Sequence, residues 1–255
     1  MEESKINSDR DGIYMIYLRP QDAYHKSQLV RLLAEIIDNH VLGQSLYFKG
    51  GTCAAMRGFL DRFSVDLDFD LKRGVERKML AGEFEKVFLK LGLEIKDQSK
   101  KTFDYNLRYK AGLNQRNTIK LEAVDFGAIA NIYEPVYLPE IGRTMVCQTL
   151  ETMFANKLVA PLDRFGRNGS LAGRDIYDIH HFYINGNGYI QAVIKERTGL
   201  DQPQFLQKLI QFVEKHITQT TIDEDLNSLL TRVQFDSIRK ILKVETLNLL
   251  ENDYR

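Results

Sequence analysis

The sequence has few cysteines, no tryptophan and no excess charge of either sign. Two cysteines in 255 residues exclude a disulfide-stabilised scaffold. Its 35 basic and 35 acidic side chains exclude a uniformly basic nucleic-acid-binding protein, although not a local basic surface. No apolar run reaches the ~18 residues of a membrane-spanning helix, and the polar N-terminus lacks the apolar core of a signal peptide. We therefore expect a soluble, cytoplasmic protein with no membrane partner.

The spacing of apolar residues divides the chain into three parts. Residues 1–20 are polar and are predicted to be a flexible segment. Residues 21–145 mix helical and strand-like spacing, whereas residues 146–255 are almost wholly helical. We therefore predict an α+β domain followed by a helical domain, with a loop marked by prolines near 134–143. The predicted helices are 21–43, 52–60, 76–91, 149–160, 174–184, 204–217 and 233–251, and the predicted strands are 46–48, 64–70, 93–98, 103–110 and 117–125.

The strand predicted at 64–70 carries two carboxylates on one face. Strict alternation places Asp66 and Asp68 opposite the apolar positions, ~7 Å apart along the strand. Two neighbouring carboxylates repel each other and are costly to desolvate. A divalent cation between them removes that cost, although an acidic surface strand would show the same pattern.

A glycine-rich turn precedes this strand and favours the metal interpretation. The turn consists of Lys49, Gly50, Gly51 and Thr52. Paired glycines let the backbone approach a bulky anion closely, and Thr52 adds a hydroxyl donor. A helix that begins after the turn offers free N–H groups to phosphate. A phosphate-binding turn beside paired carboxylates indicates chemistry on a nucleoside triphosphate with Mg²⁺ or Mn²⁺.

The strand predicted at 117–125 offers a third carboxylate. Alternation places Lys120 and Glu122 together on its polar face. Glu122 is therefore a third metal ligand or a general base, or else an ordinary solvated strand residue. Asp125 has the opposite parity and is the weaker alternative.

Charged residues in the helical part provide a further set of site residues. Lys157 interrupts an apolar helical stripe, where a lysine needs a partner or a wet cleft. Contact with a triphosphate would explain it, as would a stem that snorkels to solvent. Arg174, Asp175 and Asp178 share one predicted helix, and pairs at these spacings either brace a helix or orient a substrate.

Taken together, these motifs resemble the AbiEii/AbiGii toxin family of nucleotidyltransferase-like proteins, which are related to DNA polymerase β. Cys53-Ala54 and Val65 depart from the family pattern, but not at a phosphate or metal position. The spacer between Arg164 and Arg174 is longer than in the family. The resemblance covers about residues 25–185 and rests on GGT at 50–52, RFSVDLDF at 62–69, IKLE at 119–122, KLVA at 157–160, Arg164 and RDIYD at 174–178.

The resemblance implies a polymerase β-like nucleotidyltransferase domain with a mixed sheet, followed by a helical C-terminal domain. It implies metal-dependent transfer of an NMP from an NTP to an acceptor hydroxyl, with catalytic roles for Asp66, Asp68, Glu122 and Lys157. The three acidic residues among these would hold the metal. The implied nucleotide-binding residues are Lys49, Gly50, Gly51, Thr52, Arg62, Ser64, Lys120, Arg174, Asp175 and Asp178.

The resemblance also implies a biological setting and partners. It indicates the toxin of a type IV toxin–antitoxin (abortive infection) system, with a cognate antitoxin and an RNA such as tRNA as acceptor. Residues 95–120 hold seven basic and two acidic side chains, which favours a polyanionic acceptor, although a solvated hairpin face would look the same. The alternative functions are a small-molecule nucleotidyltransferase of the antibiotic-modifying kind and a non-catalytic nucleotide- or antitoxin-binding protein.

Overall fold

The computed structural model describes residues 20–99, 102–113, 115–125 and 127–255. The segment predicted to be flexible, 1–20, lies outside the described residues except for Pro20, which begins the first helix. Lys100 and Lys101 of the basic segment also lie outside them. Within the described ranges, no helix combines the length and apolarity needed to cross a membrane.

Seven strands form one mixed sheet, which confirms the predicted α+β fold. The strand order is β3-β4-β5-β2-β1-β7-β6. β2 is parallel to β5 and β1 is parallel to β7, whereas the other neighbouring strands are antiparallel. The strands are β1 (Leu46–Lys49), β2 (Leu67–Leu71), β3 (Glu94–Gln98), β4 (Phe103–Arg108), β5 (Thr118–Val124), β6 (Tyr133–Leu138) and β7 (Arg143–Gln148).

The helices differ from the predicted ones mainly where a cap or a short connection interrupts the apolar pattern. The predicted helix 21–43 is two helices, because the Asn39 side chain accepts hydrogen bonds from Val41 N and Leu42 N and starts a second one. The predicted helix 233–251 is likewise two. The helices are α1 (Pro20–Asp38), α2 (His40–Ser45), α3 (Gly50–Met56), α4 (Arg77–Leu91), α5 (Leu150–Asn168), α6 (Gly173–Ile184), α7 (Gln191–Thr198), α8 (Gln202–His216), α9 (Gln219–Leu226), α10 (Arg232–Ile238) and α11 (Leu242–Tyr254).

The loop predicted at 134–143 is wrong, because β6 and β7 form a hairpin there. Pro135 lies within β6 opposite Val146. β6 is an edge strand, where the missing N–H of proline is tolerated. β7 extends to Gln148 and pairs with β1, so the sheet runs past residue 145. The division of the chain into domains at 145/146 stays a prediction.

Alternation along the strands separates an apolar face of the sheet from a polar one. Phe48, Phe69 and Leu121 are fully buried. Phe84 of α4 covers the same face of β4, with its ring centre 5.5 Å from that of Phe103. The residues between these apolar positions therefore face the other way, toward the helical part of the chain.

Candidate active site

A row of charged side chains crosses the polar face of the sheet. Lys49, Asp68, Glu122 and Asp104 are successive register partners on β1, β2, β5 and β4. Register partners on neighbouring strands share a face, so three carboxylates lie side by side, with Asp66 immediately before β2. Asp104 was not predicted, although pairing the polar faces of the strands at 103–110 and 117–125 would have found it. Its Oδ1 atom is buried without a hydrogen-bond partner among the described residues.

The predicted carboxylates line one side of a cleft of about 320 Å³. Asp66, Asp68 and Glu122 all contribute to its wall. Helices of the C-terminal part contribute basic residues, so an acidic edge faces a basic wall. The charged residues that complete the lining are Arg62, Lys120, Lys157, Arg164, Arg167, Arg174 and Asp175.

The electrostatics of the carboxylates fit a divalent cation. Burial raises the pKa of Asp66. Burial, with the negative charges of Asp66 and Glu122, raises the pKa of Asp68 to about 6. The positive charges of Arg174 and Lys120 offset part of the rise at Asp66, and those of Lys49 and Lys157 offset part of it at Asp68, but among the described residues neither carboxylate forms a direct hydrogen bond or ion pair. Oxygen donors without competing partners are the ligands that Mg²⁺ and Mn²⁺ prefer.

The described residues contain no ready-made group of three or more His, Cys, Asp or Glu side chains for a metal. Mg²⁺ does not require one, because it is usually held by one or two carboxylates together with substrate phosphates and water. The set of Asp66, Asp68 and Glu122 therefore suits an ion that binds together with a nucleotide.

The glycine-rich turn predicted from the sequence is the start of α3, and its two glycines allow close packing around the carboxylates. Gly50 has a φ of +78°, and a Cβ on it would lie 2.2 Å from Oδ2 of Asp68. A Cβ on Gly51 would lie 2.8 Å from Oγ of Ser64 and 3.1 Å from an Nη atom of Arg62. Both positions exclude a side chain, so the start of α3 packs directly against Asp68 and Ser64.

Replacing Gly50 by alanine should therefore damage both folding and catalysis. The Cβ would displace Asp68, in addition to the strain of about 1–2 kcal/mol that a left-handed conformation gives a non-glycine residue. Gly58→Ala is the matched control, because Gly58 has a φ of +74° but no atom within 4 Å of the added Cβ. Thermal unfolding should show the strain in both variants. An assay of the NMP transfer expected from the sequence should show a loss only in Gly50→Ala. Equal activity in the two would contradict this role of Gly50.

Thr52, in the first turn of α3, connects this helix to the segment that carries Asp66. Its hydroxyl is placed to donate to the backbone carbonyl of Asp66 at 2.5 Å, and its oxygen lies 3.0 Å from Oγ of Ser64. Thr52 is buried, with 4% of its surface exposed. In this structure its hydroxyl therefore positions the carboxylate segment.

A buried ion-pair network joins the segment before β2 to the helices behind the cleft. Arg62 binds Asp178 through two hydrogen bonds of 2.5 and 2.7 Å. Nζ of Lys157 lies 2.7 Å from Oδ2 of Asp178. Burial opposes ionisation of Asp178, but Arg62 and Lys157 outweigh it and lower its pKa to about 2. Asp178 therefore holds the two cations in place where they reach the cleft.

Two more of the predicted residues form pairs around the cleft. Nε of Arg164 lies 2.8 Å from Oδ2 of Asp175. Arg174 lies 3.7 Å from Asp225, and its backbone N–H donates to the same carboxylate. Both arginines line the cleft.

The two predicted lysines of the sheet also pair with carboxylates. Nζ of Lys120 lies 3.6 Å from Asp104 and 3.8 Å from Glu122, whereas Nζ of Lys49 binds Asp70 at 2.6 Å.

The weaker alternative to Glu122 lies away from the cleft. The Asp125 side chain is 78% exposed and pairs with Arg77 at 2.6 Å.

Arg167 lines the cleft but was not predicted, because the predicted helix ended at residue 160. In the structure, α5 continues through Pro161 to Asn168, which places Lys157, Arg164 and Arg167 along one side of a single helix.

Solved structures share this architecture over almost its whole length. A protein from H. pylori described as a candidate nucleotidyltransferase is 19% identical, covers 93% of this chain and 96% of its own, and has a TM-score of 0.56. JHP933 from Helicobacter pylori is 19% identical, covers 93% of each chain and has a TM-score of 0.54. These likenesses show a shared fold. MenT4, a nucleotidyltransferase toxin from Mycobacterium tuberculosis, is 17% identical over 92% of this chain and 86% of its own, with a TM-score of 0.48.

A mixed sheet that presents carboxylates to a basic cleft is the arrangement expected of a nucleotidyltransferase. No curated protein sequence matches the chain. The chain belongs to the AbiEii family, the nucleotidyl transferase toxins of type IV toxin–antitoxin systems, whose model matches residues 31–243. The match extends well beyond residue 185, where the sequence motifs end, so the family includes most of the C-terminal helices.

Proposed function

We propose that this toxin transfers an NMP from an NTP to an acceptor hydroxyl, with Mg²⁺ or Mn²⁺ held by Asp66, Asp68 and Glu122. The observation that carries the proposal is the row of carboxylates facing a basic wall across one cleft. The bound ion would neutralise the carboxylates and the developing charge on the phosphates. Acceptor-only oxygens on one side and cations on the other match a metal–triphosphate substrate.

The side chains of the cleft have distinct roles in this reaction. Lys157, Arg164 and Arg174 bind the phosphate oxygens and stabilise the charge that moves onto pyrophosphate. The acceptor oxygen forms a bond to the α-phosphorus while the bond from that phosphorus to the bridging oxygen breaks. Glu122, on the β5 side, takes up the hydroxyl proton, or it would help to hold the metal while that proton passes to water, and pyrophosphate leaves in either case. Most of the rate comes from positioning and charge stabilisation, as is usual for transfer at phosphorus.

We propose an RNA such as tRNA as the acceptor, in the cytoplasm, with a cognate antitoxin as the regulating partner. Arg108 and Lys120 lie on the same face of the sheet as Glu122. Lys120 is two residues before Glu122 on β5, and Arg108 is on β4, opposite Glu94 of the edge strand β3. Lys96, Lys110 and Arg116 are exposed nearby. A phosphate backbone lying along this edge would bring a terminal hydroxyl to Glu122.

Incubation with each α-labelled NTP, Mg²⁺ and total RNA tests the function directly. Label in a discrete RNA band supports the proposal, and its size indicates the acceptor. Label in a small molecule instead would favour the antibiotic-modifying alternative. Absence of transfer with every NTP and both metals would favour the non-catalytic alternative.

Binding of tRNA should weaken as salt concentration rises. Each phosphate contact contributes a slope of about −0.7 to −0.9 to the plot of log affinity against log salt. The double variant Arg108→Ala/Lys110→Ala should therefore have a shallower slope than the wild type, as measured by filter binding. Lys208→Ala, on α8 away from this edge, is the control and should leave the slope unchanged. A flat wild-type response would argue against phosphate contacts.

A further inference from the structure

A second cavity adjoins the catalytic cleft on the opposite side of Asp68. It has a volume of about 300 Å³ and shares Asp68 and Lys157 with the cleft. It is also lined by Lys49 at the end of β1, Gly50 at the start of α3 and Gln148 at the end of β7. The two cavities therefore meet at the residues that would surround the reacting phosphate.

The walls of the two cavities differ in chemistry. The cleft is lined by arginines, lysines and carboxylates. The second cavity has an apolar part formed by Val124, Ala128, Met153 and Ala160. Apolar surface with a few oriented polar groups is typical of a site for an uncharged ring system rather than for a polyphosphate.

Beside its charged residues, the second cavity is lined by three side-chain amides in fixed orientations, those of Asn131, Gln148 and Asn156. Nδ2 of Asn156 donates to Oδ1 of Asn131 at 3.1 Å and to the carbonyl of Thr152 at 3.0 Å. Arg197 donates to Oδ1 of Asn156 at 2.6 Å. Gln148 donates to Asp70 through Nε2 at 2.9 Å. Both N–H groups of Asn156 are used in these bonds, and Nδ2 of Asn131 uses one of its own on the hydroxyl of Tyr133 at 3.4 Å. One N–H of Asn131 and one lone pair on the Oδ1 atom of each asparagine therefore remain for the edge of a nucleobase.

The position of the acceptor leaves this cavity for the nucleotide. Glu122 and the basic edge lie on the β5 and β4 side of Asp68. The second cavity lies toward the Asp70 and Val124 ends of β2 and β5, against α5. An NTP whose α-phosphate lies at Asp68 can therefore place its triphosphate along Arg164 and Arg167 and its base in the second cavity, without blocking the acceptor.

We propose that the second cavity binds the base of the NTP and sets its base preference through Asn131 and Asn156. This inference rests on the proposed function, since it assigns one part of the same substrate. The contributions of the two cavities to binding can be measured separately, because inorganic tripolyphosphate has no base and needs only the basic cleft.

Two variants with opposite expected profiles test the proposal by calorimetry with Mg²⁺. Ala160→Phe fills the second cavity and should weaken NTP binding by about tenfold or more while leaving tripolyphosphate binding unchanged. Arg167→Ala removes a cation from the cleft and should weaken both ligands. Unchanged tripolyphosphate binding also shows that Ala160→Phe has kept the cleft folded.

A third variant covers the case in which the phenylalanine cannot be accommodated. Asn131→Ala should alter the ratio of affinities among ATP, GTP, CTP and UTP. Equal effects of Ala160→Phe on both ligands, or the same change with all four NTPs in Asn131→Ala, would overturn the base assignment but not the proposed function. Wild-type protein that binds neither ligand would overturn both. Measurement without RNA ensures that a base bound in the cavity comes from the NTP and not from the acceptor.

Discussion

The double variant Asp66→Asn/Asp68→Asn should lose NMP transfer by about 10³-fold or more, because a bound metal supplies several kcal/mol of charge stabilisation. Asparagine has nearly the shape of aspartate but no charge, so it fits the same space and holds a divalent cation poorly. Initial rates of transfer from labelled NTP measure the effect. Full activity in the double variant would contradict the assignment of these carboxylates.

The same variant should keep its fold and gain stability when no metal is present. Burial and repulsion raise the pKa of Asp68 from 3.8 to about 6, so folding disfavours its charged form. The wild type in EDTA should therefore lose stability as the pH rises from 3.8 through about 6, and the variant should show less of this loss.

Added metal should make the wild type more stable than the double variant, which is the reverse of their order in EDTA. Mg²⁺ or Mn²⁺ should raise the Tm of the wild type, because it binds the folded state, but not that of the double variant. Asp125→Asn is the matched control, since Asp125 is exposed and paired with Arg77. It should change neither the response to metal nor the transfer rate.

Sequence reasoning found the carboxylates because strand alternation is local. The parity of 64–70 and 117–125 was enough to place Asp68 and Glu122 on one face, and the register later placed them side by side. Asp104 required the pairing of β4 with β5, which is a non-local fact. A single sequence does not show which strands are neighbours, and so the fourth carboxylate was missed.

Prolines account for two of the other differences between the predicted and the observed secondary structure. Pro161 directly follows the predicted helix 149–160, but a proline removes only one backbone donor, and α5 continues past it to carry Arg167 into the cleft. Pro135 suggested a loop, but it lies in an edge strand where no donor is needed on one side. In both places the tertiary contacts of the element outweighed a local signal that usually ends one.

Replacing Asp178 by asparagine should destabilise the protein by about 3–5 kcal/mol, which is the cost of removing one partner from a buried ion pair. Arg62 is only 3% exposed, and it would keep its charge without a compensating carboxylate. Urea unfolding measures this loss. Asp223→Asn is the control, because the side chains of Asp223 and Arg239 are 26% and 31% exposed, and a pair open to solvent contributes only about 0–1 kcal/mol.

The dependence of stability on pH gives an independent test of the same network. The pKa of Asp178 is lowered from 3.8 to about 2 because Arg62 and Lys157 outweigh its burial. Its contribution to stability should therefore be present in full above pH 3.8 and be lost as the pH falls through about 2. Asp178→Asn should remove that part of the acid sensitivity, whereas Asp223→Asn should retain it. A cost below about 1 kcal/mol together with an unchanged acid profile would show that Asp178 does not hold the two cations at the cleft.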